Sequence, residues 1–454
     1  MTPAERRQLL LGGPIVSTIL LLSAPNVLNV LAQSLVLTAD GYFAGQLGTA
    51  ELAALALVFP AQITLSMMSA GAMGGGISSS VARALGAGDR AGADAAAIHA
   101  LVIALVMAVL FAIVFAGFGR VLYGLQGGSG GALDGAVAFA NVLFLGCAAH
   151  WVGNSLASIL RGTGDMRTPG LALLTTAILQ VPLCGALTLG WAGLPKLGVM
   201  GPPAAAVISF TAAAVWMAWP LLSGTASVRL RWPTHGLRWA PFRDILKVGG
   251  VACIVVVLVN AAVMVVTGLI GRAGDGALAG YGIGGRLEYM LSPISFGVGA
   301  TLTALVGTNI GAGLRPRARR VAWTGALMVG AFTGLIGIVV AIWPDLWLGL
   351  FTTDSAALAQ GRLYLSTVGP TFSFFGVSMA LFFAAQGTGA MFHPVLANLV
   401  RIAIAAGGGL LSLDVLGWGA PGLYGFVALG IMGQFAILAY STTTRVWVGA
   451  TPRS

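Results

Sequence analysis

Asp40 is the residue whose chemistry stands out. No charge occurs between Arg7 and Asp40, and the next after it is Glu51. An acid at the centre of a membrane helix costs about 2.5–3.5 kcal/mol on insertion scales, so it marks a functional site by default. The chemistry open to such a carboxyl is to load and release a proton. An interfacial Asp near the end of the first helix is the plainer alternative. Gln33 lies two turns earlier on the same helical face.

Arg286 and Glu288 form the second group. They are two apart and share no helix face, so each needs another partner. A paired structural role and a role in gating or substrate contact are both open. Arg401 follows His393 by two turns and reads as structural, its long side chain able to snorkel toward the loop. Asn154 and Ser158 are four apart on one face; such groups either glue spans together or line a polar cavity. Met67, Met68 and Met73 could line an adaptable pocket, although packing is the simpler reading.

Other chemistry is absent from the pattern. Gly71–Gly76 is glycine-rich but lacks the Lys-Ser or Lys-Thr of a phosphate loop, so it reads as close packing or a kink. Active transport would therefore draw on an ion gradient. His99, His150, His235 and His393 show no metal spacing, and HExxH does not occur. Gly153-Asn-Ser155 builds no nucleophile elbow. No enzyme activity, cofactor or metal is expected. Cys147, Cys184 and Cys253 are odd in number and scattered, which suits buried packing residues rather than disulfides or zinc.

The elements that must position these residues follow from composition. The chain has 454 residues, 57% hydrophobic and 8% charged, against about 25% charged in a typical soluble domain. Mean hydropathy is +0.94. A soluble enzyme, a disordered chain and a collagen-like fibre are excluded, which leaves an all-α integral membrane protein. Open strands would leave backbone groups unsatisfied in lipid, and a barrel would alternate polar and apolar residues. The net charge of +10 resides mostly in short loops and reads as a topology signal facing anionic lipid, not a nucleic-acid surface. The apolar run after Arg6 and Arg7 is too long for a signal peptide and is read as the first span.

A span takes about 20 apolar residues. Charges, Gly and Pro then predict twelve helices near 14–44, 51–75, 95–118, 134–159, 168–192, 201–223, 245–270, 277–300, 319–343, 355–385, 393–415 and 421–446. Seventeen of the 23 Lys and Arg fall in loops on the side of the termini, from Arg6 through Arg161 and Arg167 to Arg453. The opposite loops hold Arg120, Lys196, Arg272 and Arg362, and Asp414 is expected in the loop between the last two helices. That bias puts both termini in the cytoplasm of a bacterial inner membrane. The hydrophilic stretch 224–244 reads as a cytoplasmic linker between a six-helix lobe at 1–223 and another at 245–454.

The halves repeat. Ile77–Gly88 aligns with Leu302–Gly313 and Arg161–Pro169 with Gln386–Pro394, both at an offset of 225 residues. Equivalent points are six helices apart, so the lobes share one orientation about a pseudo-two-fold along the membrane normal. A substrate would sit between them.

These residues resemble the multidrug and toxic compound extrusion (MATE) family over nearly the whole chain. The resemblance rests on Asp40 followed by Ala44-Gly-Gln-Leu-Gly48, on Val81-Ala-Arg-Ala-Leu-Gly-Ala-Gly-Asp89, on Leu160-Arg-Gly-Thr-Gly-Asp165 with Pro169, and on Asn309-Ile-Gly-Ala-Gly313. It implies a twelve-helix, two-lobe exporter of organic cations and drugs, driven by inward H+ or Na+ and worked by rocking lobes; a monomer that takes small lipophilic cations is expected. By the same resemblance Asp40 is the coupling carboxylate of the DinF-like branch. Gln33, Asn154 and Ser158 then fall at polar cavity positions; Arg286 is a cavity candidate from its place within a span, apart from the resemblance.

There are departures. Where that branch has Asn-x-x-x-Asp-Pro, Ala177–Pro182 keeps only the proline, and a threonine of the sixth helix is Ala206. The acids that the NorM branch carries on helices 7 and 10 are missing. An oxygen-rich Na+ site needs several hard ligands, so protons are favoured, with Asp40 the leading acid and Glu288 second. The rivals are a flippase of lipid-linked precursors from the same superfamily, a major-facilitator carrier and a membrane-embedded enzyme. The first would want a more cationic cavity, with Arg286 and Arg401 as its basic residues; the last would need a convergent catalytic set.

Overall fold

The computed structural model describes residues 2–232, 236–272 and 274–448, apart from the side chains of Ala192, Asp275, Tyr289 and Pro293. His235 and Arg453 lie outside the described residues. Every regular element among the described residues is helical.

A short leading helix, α1 (Pro3–Gly12), precedes the spans. It was not expected, yet its start is well specified. Thr2 Oγ1 accepts from the Glu5 amide, Glu5 Oε2 accepts from the Thr2 amide at 2.9 Å, and Pro3 stands at the first position. That is a reciprocal cap followed by a residue with φ preset for helix.

The spans follow as α2 (Ile15–Gly45), α3 (Thr49–Gly86), α4 (Arg90–Gly117), α5 (Gly130–Leu145) with α6 (Ala148–Gly162), α7 (Arg167–Leu189) and α8 (Gly198–Leu222). A second leading helix, α9 (Trp239–Leu246), precedes α10 (Gly249–Gly271). Then come α11 (Gly276–Gly311), α12 (Arg315–Ile342), α13 (Ser355–Thr388), α14 (Phe392–Val415) and α15 (Gly419–Ser441), and a last turn, α16 (Arg445–Val448). Among the described residues eleven helices are long and apolar enough to cross a membrane, and the bent pair α5–α6, at 44°, makes a twelfth when taken as one span. Leu20, Leu28 and Leu35 of α2 remain exposed, as suits side chains that a bilayer covers.

Two ends depart from expectation. α3 and α11 run on to Gly86 and Gly311, past the expected ends near 75 and 300. Their tails, Ser- and Gly-rich in α3 and Thr-, Gly- and Asn-containing in α11, look too polar for lipid, but they are buried against each other. A Cβ at Gly86 would lie 2.2 Å from the Thr308 carbonyl oxygen, and one at Gly311 would lie 2.1 Å from that of Arg83. Positions 83 and 308, and 86 and 311, are equivalents at the 225-residue offset, so the contact is isologous.

The leading helices cross over in the same manner. α1, which precedes the first half, docks on the second: Asn309 Nδ2 donates to the Leu10 carbonyl at 3.1 Å and Arg317 Nη2 to the Gly13 carbonyl at 2.5 Å. α9, which precedes the second half, docks on the first. The Arg238 amide donates to His99 Nε2 at 3.0 Å, Phe242 meets the His99 ring edge-on, and Asp244 accepts from Arg83 at 2.6 Å. Leu10 and Trp447 share one apolar cluster, so both ends of the described chain lie on one face. That terminal face is where the halves close.

Candidate functional site

Asp40 lies on the buried face of α2, between Val36 and Ala44, and is 3% exposed. The thiol of Cys184 on α7 donates to its Oδ1 at 3.3 Å, and Cys184 Sγ lies 3.9 Å from Thr188 Oγ1. Among the described residues the seven ion pairs do not include Asp40. Cys184 is therefore more than the packing residue expected from its spacing, although all three cysteines are free and buried.

The surroundings of Asp40 are two matched stripes. Asn26, Asn29, Gln33 and Asp40 fall at steps of three, four and seven along α2, one face of a helix. Gln33 is half-buried and the other three are buried. On α7, Thr176, Gln180, Cys184 and Thr188 recur every four residues, all buried. The helices lie alongside each other: a Cβ at Gly170 would touch Pro25, and one at Gly185 would touch Phe43. Asn26 Oδ1 and Asn29 Oδ1 are buried with no partner among the described residues. α7 lacks the two polar ligands looked for in Ala177–Pro182, but it brings hydroxyl, amide and thiol groups in their place.

Glu288 has a different setting. Its Oε1 is 2.5 Å from Arg401 Nη2, and Arg401 Nη1 reaches Gln434 Oε1 at 3.4 Å. Gln434 Nε2 donates to Asn398 Oδ1 at 3.2 Å, and the guanidinium stands 5.4 Å from the Phe375 ring centre. Arg401 thus turns into the bundle instead of snorkelling, because a carboxylate there compensates its charge. Arg286, two residues from Glu288, is exposed over the Phe351 ring at 5.7 Å and lies apart from this network. Asp414 pairs with Arg272 at the end away from the termini.

Asn154 and Ser158 meet neither acid. Asn154 Nδ2 donates to Ser69 Oγ at 2.9 Å, inside a π-helical stretch of α3 at Met67–Met73. Such wide turns recur at functional sites. Ser158 Oγ donates to the Asn154 carbonyl at 2.7 Å. Met73 is buried against Gly249, whereas Met67 is exposed.

Ser158 also lines a cleft between the halves, with Ser78, Arg161, Phe296, Thr303 and Phe383 among its walls. Its volume is about 10 Å³, roughly the room one water needs. The glycines of Gly71–Gly76 make this closeness possible: a Cβ at Gly74 would strike Ser158 Oγ, and one at Gly75 the Gln386 amide.

Arg161 was expected in a loop. It sits instead in the last turn of α6, 3% exposed. The signal was present, since Asn154, Ser158 and Arg161 are spaced four and three on one helical face. Gln386, its repeat equivalent on α13, is fully buried with neither amide atom bonded.

Comparison with known proteins fits this architecture. The MatE family model matches residues 25–185 and 252–408, one copy on each half. A Shewanella oneidensis protein named FAD transporter is 25% identical over 430 residues, 92% of this chain and 91% of that one. A probable multidrug resistance protein NorM of Deinococcus radiodurans is 26% identical over 460 residues, 96% of each chain. Among solved structures, a MOP superfamily transporter from Pyrococcus furiosus superposes with a TM-score of 0.85 at 23% identity, covering 97% of both chains. That likeness concerns the fold.

Proposed function

Because the chain belongs to the MatE family of membrane transporters, we propose that it exports small lipophilic organic cations and drugs in exchange for inward protons. The lobes at 1–223 and 245–454, joined by 224–244, would rock about the cleft. The observation that carries the reading is Asp40: a buried carboxyl whose partner is a neutral thiol and not a basic side chain.

A carboxyl compensated by a cation is fixed in charge. One held by a thiol is free to change its charge within the fold. While ionised, Asp40 attracts a cationic substrate or a proton into the seam between α2 and α7. Protonation removes that charge. A bound proton shifts the lobes only by its differential affinity for the two arrangements, and each pH unit across the membrane supplies about 1.4 kcal/mol per proton. That is enough for roughly tenfold accumulation of substrate.

Protons are favoured over Na+ because the partner of the one carboxylate in the seam is a thiol, a soft group that a hard cation does not take as a ligand. Glu288 is the second acid, but Arg401 already holds it. The bias of basic residues toward the terminal face supports placing that face in the cytoplasm of a bacterial inner membrane. With that face in the cytoplasm, the contact between the halves there would seal the exporter toward the cytoplasm. The chain acts as a monomer with no cofactor.

The test is efflux from proteoliposomes under an imposed H+ gradient and then an imposed Na+ gradient. The reading expects an organic cation to move against its own gradient with H+ alone. Export driven by Na+ alone would overturn the proton assignment, and export with neither would overturn antiport.

A further inference from the structure

We infer that Arg161 recognises an anion in the cleft between the halves, and that molecules carried by the exporter proposed above include ones bearing a carboxylate or phosphate. The inference rests on that reading for transport, but its geometry stands separately.

Arg161 is buried, and its side chain makes no ion pair or hydrogen bond among the described residues; Nε is fully enclosed without a partner. An uncompensated buried charge is expensive and calls for a counter-charge. The end of α6 compensates part of it through the helix dipole. No acid does so. Asp165, the nearest along the chain, is occupied by Arg6 at 3.3 Å and by Thr168 Oγ1 at 2.9 Å. Among the described residues the cleft walls contain no carboxylate, and Arg161 is their one charged residue.

The other walls are what an acid group on an aromatic molecule needs. Ser78 Oγ is buried without a partner and lies in the same wall. The Gln386 amide, equally unbonded, stands against Gly75, itself a wall residue. A guanidinium, a hydroxyl and an amide together donate to several oxygens of one oxyanion, with the guanidinium able to do so bidentately. Phe296 and Phe383 lie edge-to-face at 5.6 Å on the second half and offer ring faces. Arg161 comes from α6, Ser78 from α3 and Gln386 from α13, so the set assembles from both halves and opens when they part. Asp40 lies near the opposite end of the spans. The two groups therefore serve different steps: Arg161 reads the acid group where the halves separate on the terminal face, and Asp40 handles the coupling charge.

A charge series on one fluorophore tests this. Dansylglycine, dansylglycinamide and dansylcadaverine carry an acid, no charge and an amine. Binding to the full chain in nanodiscs is read by tryptophan-to-dansyl energy transfer, with empty nanodiscs as baseline. The wild type is expected to bind the acid at least fivefold more tightly than the amide. Arg161→Gln should erase that preference while the amide affinity stays within about twofold, and Arg161→Lys should keep part of it. A purely structural role would weaken all three probes alike and would overturn the inference, as would a preference that survives Arg161→Gln. If Arg161→Gln fails to fold, Ser158→Asp places a carboxylate beside the guanidinium and should erase the same preference; its survival there counts against the site. Binding needs no gradient. An acid preference without gradient-driven export would reject the exporter reading alone, and export of the amine probe without any acid preference would reject this inference alone.

Discussion

Cys184 donates its thiol to Asp40 across 3.3 Å, tying α7 to α2 at a point that no basic side chain among the described residues shares. The bond joins residues 144 positions apart in the chain. It leaves the carboxyl buried, held in place and uncompensated by a cation. A neutral hydrogen bond of this kind contributes about 1 kcal/mol net, enough to orient the carboxyl without fixing its charge.

Cys184→Ser keeps a donor and should retain most proton-driven efflux, whereas Cys184→Ala should slow it several-fold. Initial rates in vesicles check this. Equal rates for Cys184→Ala and the wild type would mean that the bond is idle.

The ion pair of Glu288 and Arg401 predicts a different pattern. Arg401→Met leaves the carboxylate without its partner and should destabilise the protein by about 3–5 kcal/mol, while the double variant Glu288→Gln with Arg401→Met should recover much of that loss. Thermal unfolding followed by size exclusion measures it. Glu288→Gln alone should still export; loss of proton-driven efflux in a folded Glu288→Gln protein would make Glu288 a second coupling group.

The isologous contact between the halves predicts matched effects. Gly86→Ala and Gly311→Ala each push a methyl onto a backbone oxygen of the other half. Overpacking of this kind costs about 1–3 kcal/mol, and it falls on the closed arrangement. Both variants should increase maleimide labelling of a cysteine placed at Ser78, by similar factors. Labelling unchanged in both would show that the seal does not depend on this approach.

Arg83 and Asp244 link α3 to α9 at 2.6 Å, with Lys247 also on Asp244 at 2.7 Å. Both partners are partly exposed, so a double-mutant cycle of Arg83→Gln and Asp244→Asn should give a coupling of about 0.5–1 kcal/mol. A value near zero would remove this pair from the account of closure.

Much of the fold was legible because lipid demands it. Twelve apolar runs with few charges, bounded by Arg, Gly and Pro, are a strong signal, and the expected spans fall within a few residues of the observed ones except where α3 and α11 bury their polar tails in each other. That exception is a tertiary effect: Gly86 and Gly311 read as turn residues until their partners' carbonyls are known. α1 escaped notice because its length is far below that of a span, although Thr2 and Glu5 spelled out its cap.

The site was legible in part. Asp40 stood out through the scarcity of charge around it. Cys184 did not, since a lone cysteine in an apolar run carries no information about what it faces. Arg161 was misplaced because a basic residue beside Gly-Thr-Gly resembles a loop; the spacing from Asn154 and Ser158 was the better guide. Glu288 and Arg401 were seen separately, and only the fold, which brings Arg401 of α14 to Glu288 of α11, makes them a pair.

The measurement that bears most directly on the whole account is proton-driven export by Asp40→Asn in proteoliposomes. With the carboxyl replaced by a neutral amide of the same size, a pH gradient should drive no efflux of an organic cation, although the protein remains folded. Efflux undiminished from the wild type would contradict the central role given to Asp40.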